Sequence, residues 1–405
     1  MDIKKIKSEF PIFRQKINGK PLVYLDSANS SQKPKVVIDR MSNFYETEFS
    51  NVGRSIHALA VKATNSFEAT RDKVQKYLNA NHREEIIFTK GATEAINLVA
   101  SSYGKKYINK GDEILITELE HHSNYVPWNF LRTEKGAVIK FAQVNENGDV
   151  ELDEIKKLIT SKTKIIAITH ISNVTGAVLP ITKIVDLAKE KKIPVLIDGT
   201  QGAPHSEIDM QKIGCDFYAI SCHKMYGPNG LGLLYMKKKW VDDLPPYQGG
   251  GGMINEVKKD EISFADAHTK FEAGTMQTAE VVAFAESLNF IDKLGIKNIA
   301  SHENEILQYG LETLKKNNSV NIIGDPKERG SVLCFTLKDI HPHDIATILD
   351  DDGVAIRAGH HCCQILHDKL GIPATARASI GVYNDKEDID KLSDAIKNCQ
   401  KVFQN

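Results

Sequence analysis

The sequence lacks the features that mark membrane, secreted and nucleic-acid-binding proteins. No apolar run approaches the roughly 18 residues of a membrane span, and the opening segment MDIKKIK is charged, without the apolar core of a signal peptide. The formal net charge of −1 gives no reason to expect nucleic acid or an anionic membrane as a partner. The 6 cysteines of this 405-residue chain show no spacing typical of secreted disulfides, which favours a reducing, cytoplasmic setting.

Internal repeats, low-complexity linkers and two common site motifs are also absent. The glycine run at 249–252 does not open a helix after a strand, as a dinucleotide-binding fingerprint does. The HHCC run at 360–363 has no spaced second pair of ligands, and four adjacent residues cannot all face one tetrahedral ion. We therefore predict neither a dinucleotide site nor a metal site.

A lysine at the end of an apolar strand is the first positive signal. Residues 216–220 predict a buried strand, which Lys224 follows closely, and the turn at 227–230 leads into another strand at 231–236. Partial burial lowers the pKa of a lysine and makes its amine a nucleophile, as a lysine that forms a Schiff base requires. An ordinary solvated lysine is the alternative.

Asp198 ends a second apolar strand, predicted at 192–198. A carboxylate at the carboxyl end of a parallel strand lies where open α/β sheets bind ligands, although a helix N-cap is the plainer interpretation. Pyridoxal phosphate needs a lysine for its aldehyde and an acid that keeps its pyridine nitrogen protonated. Asp198 and Lys224 on successive strand ends therefore predict a pyridoxal phosphate site.

The remaining pattern predicts an α/β fold with a second, smaller region. Strands and helices alternate from residue 24 to about 236, which indicates a mostly parallel sheet covered by helices. Residues 85–94 predict a strand, a glycine turn and a helix start with Thr93, an arrangement that suits a phosphate but also fits a capped helix without a ligand. From about residue 278, a long helix and strands at 332–337 and 354–358 predict a smaller α+β region.

Three segments carry a family resemblance: VLIDGTQ at 195–201, SCHKMYGPNG at 221–230 and RAGHHC at 357–362. They resemble the pyridoxal-phosphate-dependent cysteine desulfurases of the class V aminotransferase type, in particular the SufS and CsdA group that serves the Suf iron–sulfur system. The resemblance extends from YLDSA at residue 24 to RASIGVYN at 377–384. It implies fold type I of the pyridoxal-phosphate transferases, with a mostly parallel seven-stranded sheet. It also implies an N-terminal segment (1–20) packing with the small domain, a large cofactor domain (21–277) and a small α+β domain (278–405).

The resemblance implies cofactor-binding roles. Lys224 would hold pyridoxal phosphate and move the substrate Cα proton, Asp198 would stabilise the protonated ring, and His121 would stack on it. Asn173 and Gln201 would hydrogen-bond the phenolic oxygen, and loop amides that cap the backbone are the alternative for both.

The resemblance also implies how the phosphate is bound. Thr93, Ser221 and His223 would contribute from one subunit, and Thr275 would reach the phosphate of the neighbouring subunit, so we expect a homodimer. Ala92 stands where the family often has a second hydroxyl, so this chain would have one donor fewer.

The resemblance finally implies the reaction. Arg377 would clamp the carboxylate of L-cysteine, with Arg357 and Asn173 as further substrate contacts. The Cys362 thiolate would take the sulfur as a persulfide. Cys363, usually a small residue, would be inert, and the alternative is that its thiol traps the persulfide as an internal disulfide. The products would be L-alanine and sulfur passed to an acceptor protein of the SufE or SufU type for iron–sulfur cluster assembly. A selenocysteine lyase and a class V aminotransferase that uses no thiol are the alternatives among enzymes, and a non-catalytic scaffold is the alternative outside them.

Overall fold

The computed structural model describes residues 1–53 and 55–404. The helices are α1 Ile3–Ser8, α2 Lys35–Thr47, α3 Ala58–Tyr77, α4 Ala92–Tyr107, α5 Val126–Lys135, α6 Leu152–Leu158, α7 Ile181–Glu190, α8 Met210–Ile213, α9 Lys238–Asp243, α10 Thr278–Leu294, α11 Ile296–Lys315, α12 Pro342–Asp351, α13 Gln364–Leu370 and α14 Lys386–Gln404. Short 3-10 helices lie at Pro11–Arg14, Arg83–Glu85, His122–Asn124, Cys222–Lys224 and Ala267–Phe271. None of the helices in the described ranges combines the length and the apolar character needed to cross a bilayer.

The strands form one large sheet and several smaller ones. They are β1 Lys16–Ile17, β2 Lys20–Pro21, β3 Val23–Tyr24, β4 Ile86–Thr89, β5 Glu113–Thr117, β6 Val138–Ala142, β7 Thr163–Thr169, β8 Val195–Asp198, β9 Phe217–Ser221, β10 Gly232–Met236, β11 Ile254–Val257, β12 Ile262–Phe264, β13 Val320–Ile322, β14 Val332–Leu337, β15 Val354–Ala355, β16 Arg357–Gly359 and β17 Thr375–Ser379.

The large sheet has seven strands in the order β4-β10-β9-β8-β7-β5-β6. Only β10 runs antiparallel to its neighbours β4 and β9, so the predicted mostly parallel seven-stranded sheet is confirmed. Side chains along each strand alternate between two hydrophobic cores: Ile165 and Ala167 of β7 face one, and Ile166 and Ile168 face the other. The strands are apolar at nearly every position because both faces of the sheet are covered and each side chain is buried on one face or the other. The carboxyl ends of β4, β5, β7, β8 and β9 therefore meet at one edge.

The C-terminal region contains a four-stranded antiparallel sheet in the order β13-β14-β17-β16. The strand predicted at 332–337 is confirmed as β14. The prediction of a single strand at 354–358 is wrong, because the chain is interrupted at Ile356 and the residues on its two sides pair with different strands. Val354 and Ala355 pair in parallel with β3, whereas Arg357 to Gly359 pair with β17.

The N-terminal segment packs against the end of the chain. Lys7 Nζ lies 2.9 Å from the buried carboxylate of Asp388, and the Phe10 ring centroid is 5.0 Å from that of Tyr383. Val23 of β3 belongs to the hydrophobic core of the C-terminal region. The domain boundaries at residues 20 and 277 stay predictions.

Candidate active site

A cavity of about 170 Å³ opens at the edge where the parallel strands end. Its lining comprises Asn29, Ala92, Thr93, His121, Ser123, Thr169, Ile171, Asn173, Asp198, Thr200, Gln201, Ser221, His223 and Lys224. Eight of the twelve site residues predicted from the sequence are in this set. Loops that follow separate strands supply them, which is how an open α/β sheet assembles a ligand site from distant segments.

Lys224 and Asp198 end neighbouring strands of the cavity. Lys224 closes the 3-10 turn after β9, is half-buried, and makes no hydrogen bond or ion pair through Nζ with any described residue. Loss of hydration lowers its pKa to about 8, and the charge of Arg377 acts in the same direction. Asp198 is buried, and one carboxylate oxygen accepts the Thr200 N–H at 3.0 Å. Burial raises the pKa of Asp198, against the opposing charge of Lys224.

The turn after Asp198 depends on a glycine. A Cβ on Gly199 would lie 1.8 Å from Cε1 of the Tyr218 ring, and Tyr218 is itself held by a 2.9 Å hydrogen bond between its hydroxyl and Nδ1 of His170. Only a residue without a side chain lets the backbone pass this close to the ring.

His121 places a neutral imidazole at the cavity. Its Nδ1 accepts the Ser123 N–H at 3.1 Å, which fixes a tautomer with the proton on Nε2. Burial and the nearby charge of Lys224 together lower the pKa of His121 to about 3. The ring is therefore flat and uncharged at neutral pH.

Hydroxyl groups gather at the first turn of α4. Thr93 Oγ1 lies 2.7 Å from Ser123 Oγ, and Ser221 Oγ accepts the Ala92 N–H at 3.0 Å. His223 Nδ1 lies 3.1 Å from Ser30 Oγ, and burial lowers the pKa of His223 to about 4. These donors and the amino end of the 16-residue helix α4 converge on one side of the cavity.

Thr275 is not part of this cavity. It is exposed and lines a separate cavity of about 390 Å³, together with Asn51, Gly252 and Met276. A role for Thr275 in this site therefore requires a second subunit.

The two carboxamides predicted to bind the cofactor both cap backbone carbonyls. Gln201 Nε2 donates to Ala28 O at 2.7 Å, and Asn173 Nδ2 donates to His361 O at 2.7 Å. In this structure the two amides therefore cap the backbone, which was the alternative to cofactor binding. Both residues still line the cavity.

The loop between β16 and α13 carries Cys362. His361 and Cys362 both have left-handed backbone conformations, with φ of 51° and 58°, which non-glycine residues adopt at a cost. The His122 N–H donates to Cys362 O at 2.8 Å, so the loop is attached to the segment beside His121. Cys362 is half-buried and Cys363 is fully buried, and neither forms a disulfide.

Two arginines face each other across β16 and β17, where Arg357 and Arg377 are register partners. Arg377 is buried, donates to Asn173 O at 3.1 Å and pairs with Asp26 at 3.2 Å, while its Nε is buried without a partner. Arg357 contacts Asn29 Oδ1. Both guanidinium groups therefore reach residues of the cavity wall.

Two charged residues of this region were not among those predicted from the sequence. Asp26 pairs with Arg377, and its place directly after the apolar run LVYL at 22–25, like that of Asp198 after its own apolar run, is the signal that could have identified it. Lys33 donates to His223 O at 2.8 Å, and burial lowers its pKa to about 8. No pattern around Lys33 pointed to this contact.

The residues of the cavity fit pyridoxal phosphate. The unpaired amine of Lys224 suits the aldehyde, the buried Asp198 carboxylate suits the pyridine nitrogen, and the uncharged His121 ring suits stacking. Hydroxyls at a helix N-terminus suit the phosphate. The donor set thus matches the aldehyde, the pyridine nitrogen and the phosphate of the cofactor.

Comparisons with known proteins agree with this geometry. The family model of class-V aminotransferases matches residues 23–392. A probable cysteine desulfurase of Staphylococcus epidermidis is 46% identical over 403 residues, covering 99% of this chain and 98% of the relative, and one of Halalkalibacterium halodurans is 43% identical over 403 residues, covering 100% and 99%. The crystal structure of the cysteine desulfurase CsdA (S-sulfonic acid) from Escherichia coli superposes with a TM-score of 0.92 at 34% identity, covering 99% of each chain. The chain belongs to the class-V aminotransferase family, and within it to the cysteine desulfurases.

Proposed function

We propose that the protein is a pyridoxal-phosphate-dependent cysteine desulfurase that converts L-cysteine to L-alanine and keeps the sulfur as a persulfide on Cys362. The observation that carries the proposal is the attachment of the Cys362 loop to the wall of the cavity that contains Lys224 and Asp198. Asn173 makes that attachment on one side through His361 O, and His122 makes it on the other through Cys362 O.

The cofactor would be held by Lys224, Asp198 and His121, with Thr93 and the α4 N-terminus at its phosphate. When bound, it draws electrons away from the substrate Cα. With a pKa of about 8, the Lys224 amine is able to take the Cα proton and return one near neutral pH.

The other steps fall to Arg377 and Cys362. Arg377 has a buried Nε without a partner, which suits a substrate carboxylate. The Cys362 thiolate attacks the substrate sulfur, and the substrate C–S bond breaks with its electron pair left on carbon. Protonation of that carbon gives alanine, and the sulfur remains on Cys362 as a persulfide. One cysteine and one enzyme thiol thus give one alanine and one enzyme persulfide.

Alanine production from L-cysteine tests the proposal. We expect wild-type protein to release alanine, Cys362→Ala to fall to background while keeping the absorbance of bound cofactor, and Lys224→Ala to lose both the absorbance and its reduction by borohydride. Cys399→Ala, a change at a buried cysteine of α14, is the control and should retain activity. If Cys362→Ala turns over cysteine normally, the desulfurase assignment fails, and a class V aminotransferase without a thiol becomes the better account. Residual activity of Cys362→Ala on selenocysteine alone would agree with the proposal, because the C–Se bond is weaker.

We also propose a homodimer with shared active sites. Large apolar side chains are exposed along α2, in the loop after it and at the start of α3, including Tyr45 at 52%, Phe49 at 57% and Leu59 at 50%. An exposed apolar surface of this kind supports a protein–protein interface. Thr275 would then complete the phosphate site of the partner.

Mixed dimers test the sharing directly. Lys224→Ala has no cofactor lysine, and Thr275→Ala should bind the cofactor weakly in its own homodimer. In a mixed dimer, the intact Lys224 of one chain meets the intact Thr275 of the other, so half of the sites should regain wild-type affinity for pyridoxal phosphate. Affinity that stays weak after mixing would contradict the shared site, as would full activity in a monomer.

The cellular part of the proposal rests on the family resemblance. We infer a cytoplasmic protein that passes its persulfide sulfur to an acceptor of the SufE or SufU type for iron–sulfur cluster assembly. The choice of acceptor is tested by following radioactive sulfur from cysteine to a purified acceptor of either type. Transfer to neither would contradict this choice and would mean that a different protein accepts the sulfur.

A further inference from the structure

Cys363 is a second thiol directly after the proposed nucleophile, and the reaction above does not use it. Its side chain is fully buried, with Sγ 3.0 Å from Asn173 Oδ1 and 3.9 Å from Leu119 O. Burial raises the pKa of the Cys363 thiol well above its ordinary value, so the sulfur keeps its proton. Since both oxygens only accept, Cys363 is the donor in these contacts.

Asn173 connects this thiol to the rest of the site. Because Oδ1 accepts from Cys363, the amide nitrogen of the same carboxamide faces His361 O, to which it donates at 2.7 Å. The backbone carbonyl of Asn173 accepts from Arg377 at 3.1 Å. One residue of the cavity wall thus meets the thiol, the nucleophile loop and the proposed substrate clamp.

The loop needs such attachments. Consecutive left-handed residues at 361 and 362 are unfavourable for side chains with a Cβ, and surrounding contacts must hold them. Cys363 supplies one more attachment through its backbone, since Cys363 O lies 3.0 Å from His367 Nδ1.

We propose that Cys363 is a positioning residue whose buried S–H, through the Asn173 carboxamide, fixes the loop that carries Cys362 against the cofactor cavity. The inference rests on the proposed role of Cys362. It gives a function to a residue at which this chain differs from the family pattern.

The same contacts argue against Cys363 as a resolving thiol. In that reaction its thiolate would attack the Cys362 sulfur of the persulfide, join the two cysteines as a disulfide and release hydrosulfide. Cys363 would first have to lose both its proton and its hydrogen bond to Asn173. We therefore expect no internal disulfide to form during turnover.

A pair of substitutions separates hydrogen bonding from packing. Cys363→Ser keeps a donor and Cys363→Ala removes it, at nearly the same side-chain volume. In the apoprotein, the rate at which iodoacetamide alkylates Cys362, read by peptide mass spectrometry, should rise about fivefold in Cys363→Ala, the factor that corresponds to about 1 kcal/mol for a neutral hydrogen bond. Cys363→Ser should stay within about twofold of wild type by the same argument. In the holoenzyme, kcat for alanine should fall by a similar factor in Cys363→Ala with KM little changed, and Cys363→Ser should rescue it.

Matched changes at Cys399 serve as the control. That thiol is buried in α14, so Cys399→Ser and Cys399→Ala should leave the alkylation of Cys362 unchanged, and serine should do no better than alanine. If Cys363→Ala does not fold, Cys363→Val, which also lacks a donor, takes its place.

The outcomes separate this inference from the proposed function. Equal behaviour of Cys363→Ser and Cys363→Ala, or a wild-type alkylation rate in Cys363→Ala, overturns the positioning role. A Cys362–Cys363 disulfide that accumulates during turnover overturns it in favour of a resolving thiol. A wild-type protein that makes no alanine refutes the desulfurase activity, while alkylation of the apoprotein still decides how the loop is held.

Discussion

Competitive acetylation of the apoprotein should give Lys224 a titration midpoint near pH 8. Burial removes water from the ammonium, and the positive charge of Arg377 adds to the effect, so the pKa falls from 10.5 to about 8. At pH 7 the neutral fraction is then larger by a factor of about 10 to the power 2.5, or roughly 300, than in a solvated lysine. This reactive amine is what the cofactor aldehyde requires.

The assay uses trace amounts of acetic anhydride between pH 6 and pH 10, with the Lys224 peptide quantified by mass spectrometry against an added lysine amide. Below the midpoint the rate should rise about tenfold per pH unit, because only the neutral amine reacts, and it should level off above it. Two variants should move the midpoint in opposite directions. Arg377→Gln removes a charge that lowers the pKa of Lys224, so the midpoint should rise, and Asp198→Asn removes a charge that raises it, so the midpoint should fall.

A Lys224 rate that climbs without levelling to pH 10 would refute the reasoning, since the amine would then be hydrated like a surface lysine. Unchanged midpoints in both charge variants would show that burial alone sets the pKa. The thermal midpoint of each variant, measured in the same buffers, checks that the comparison is between folded proteins.

Three further changes have predicted outcomes. Glu272→Ala should lower the free energy of unfolding in urea by about 1.5–3 kcal/mol, because the buried Arg71 loses the charged hydrogen bonds to Glu272 at 2.8 and 2.9 Å and keeps Glu68 at 3.1 Å as its carboxylate partner; a loss below 1 kcal/mol would contradict this. Arg377→Lys should lower kcat/KM for cysteine roughly thirtyfold, which corresponds to a loss of about 2 kcal/mol of transition-state stabilisation, because lysine cannot bind the carboxylate through two parallel hydrogen bonds. A KM equal to that of wild type would show that Arg377 does not bind the substrate carboxylate. Gly199→Ala should cost about 1–3 kcal/mol of stability by overpacking and weaken cofactor absorbance, whereas Gly249→Ala, with no atom within 4 Å of the added Cβ, should change neither.

The sequence predicted the parts of the site that lie on local patterns. Asp198 and Lys224 each follow a run of apolar residues, and such runs become buried strands whose ends meet at one edge of a parallel sheet. The start of α4 at Ala92 and the strand Val332–Leu337 were equally visible, because a glycine turn and apolar strand residues mark them.

Contacts between distant segments could not be predicted in the same way. The division of residues 354–358 depends on Val354 meeting β3 and Arg357 meeting β17, and nothing in those five residues encodes two partners. Cys363 looked inert from the sequence, and its hydrogen bond to Asn173 follows only from the packing of two segments 190 positions apart. The hairpin β11–β12 was missed because its residues are mostly exposed and lack the apolar pattern of a core strand.

The contact between Asp26 and Arg377 has a consequence for biosynthesis. The two residues are 351 positions apart, and β3 is likewise completed only by β15 near the end of the chain. At the usual elongation rates of about 5–20 residues per second, Asp26 is synthesised roughly 20 to 70 s before its partner exists. During that interval Val23 and Leu25, which end in the core of the C-terminal region, have no place to be buried. The contact between Asp26 and Arg377, and with it the proposed substrate clamp, can therefore form only after residue 377 has been synthesised.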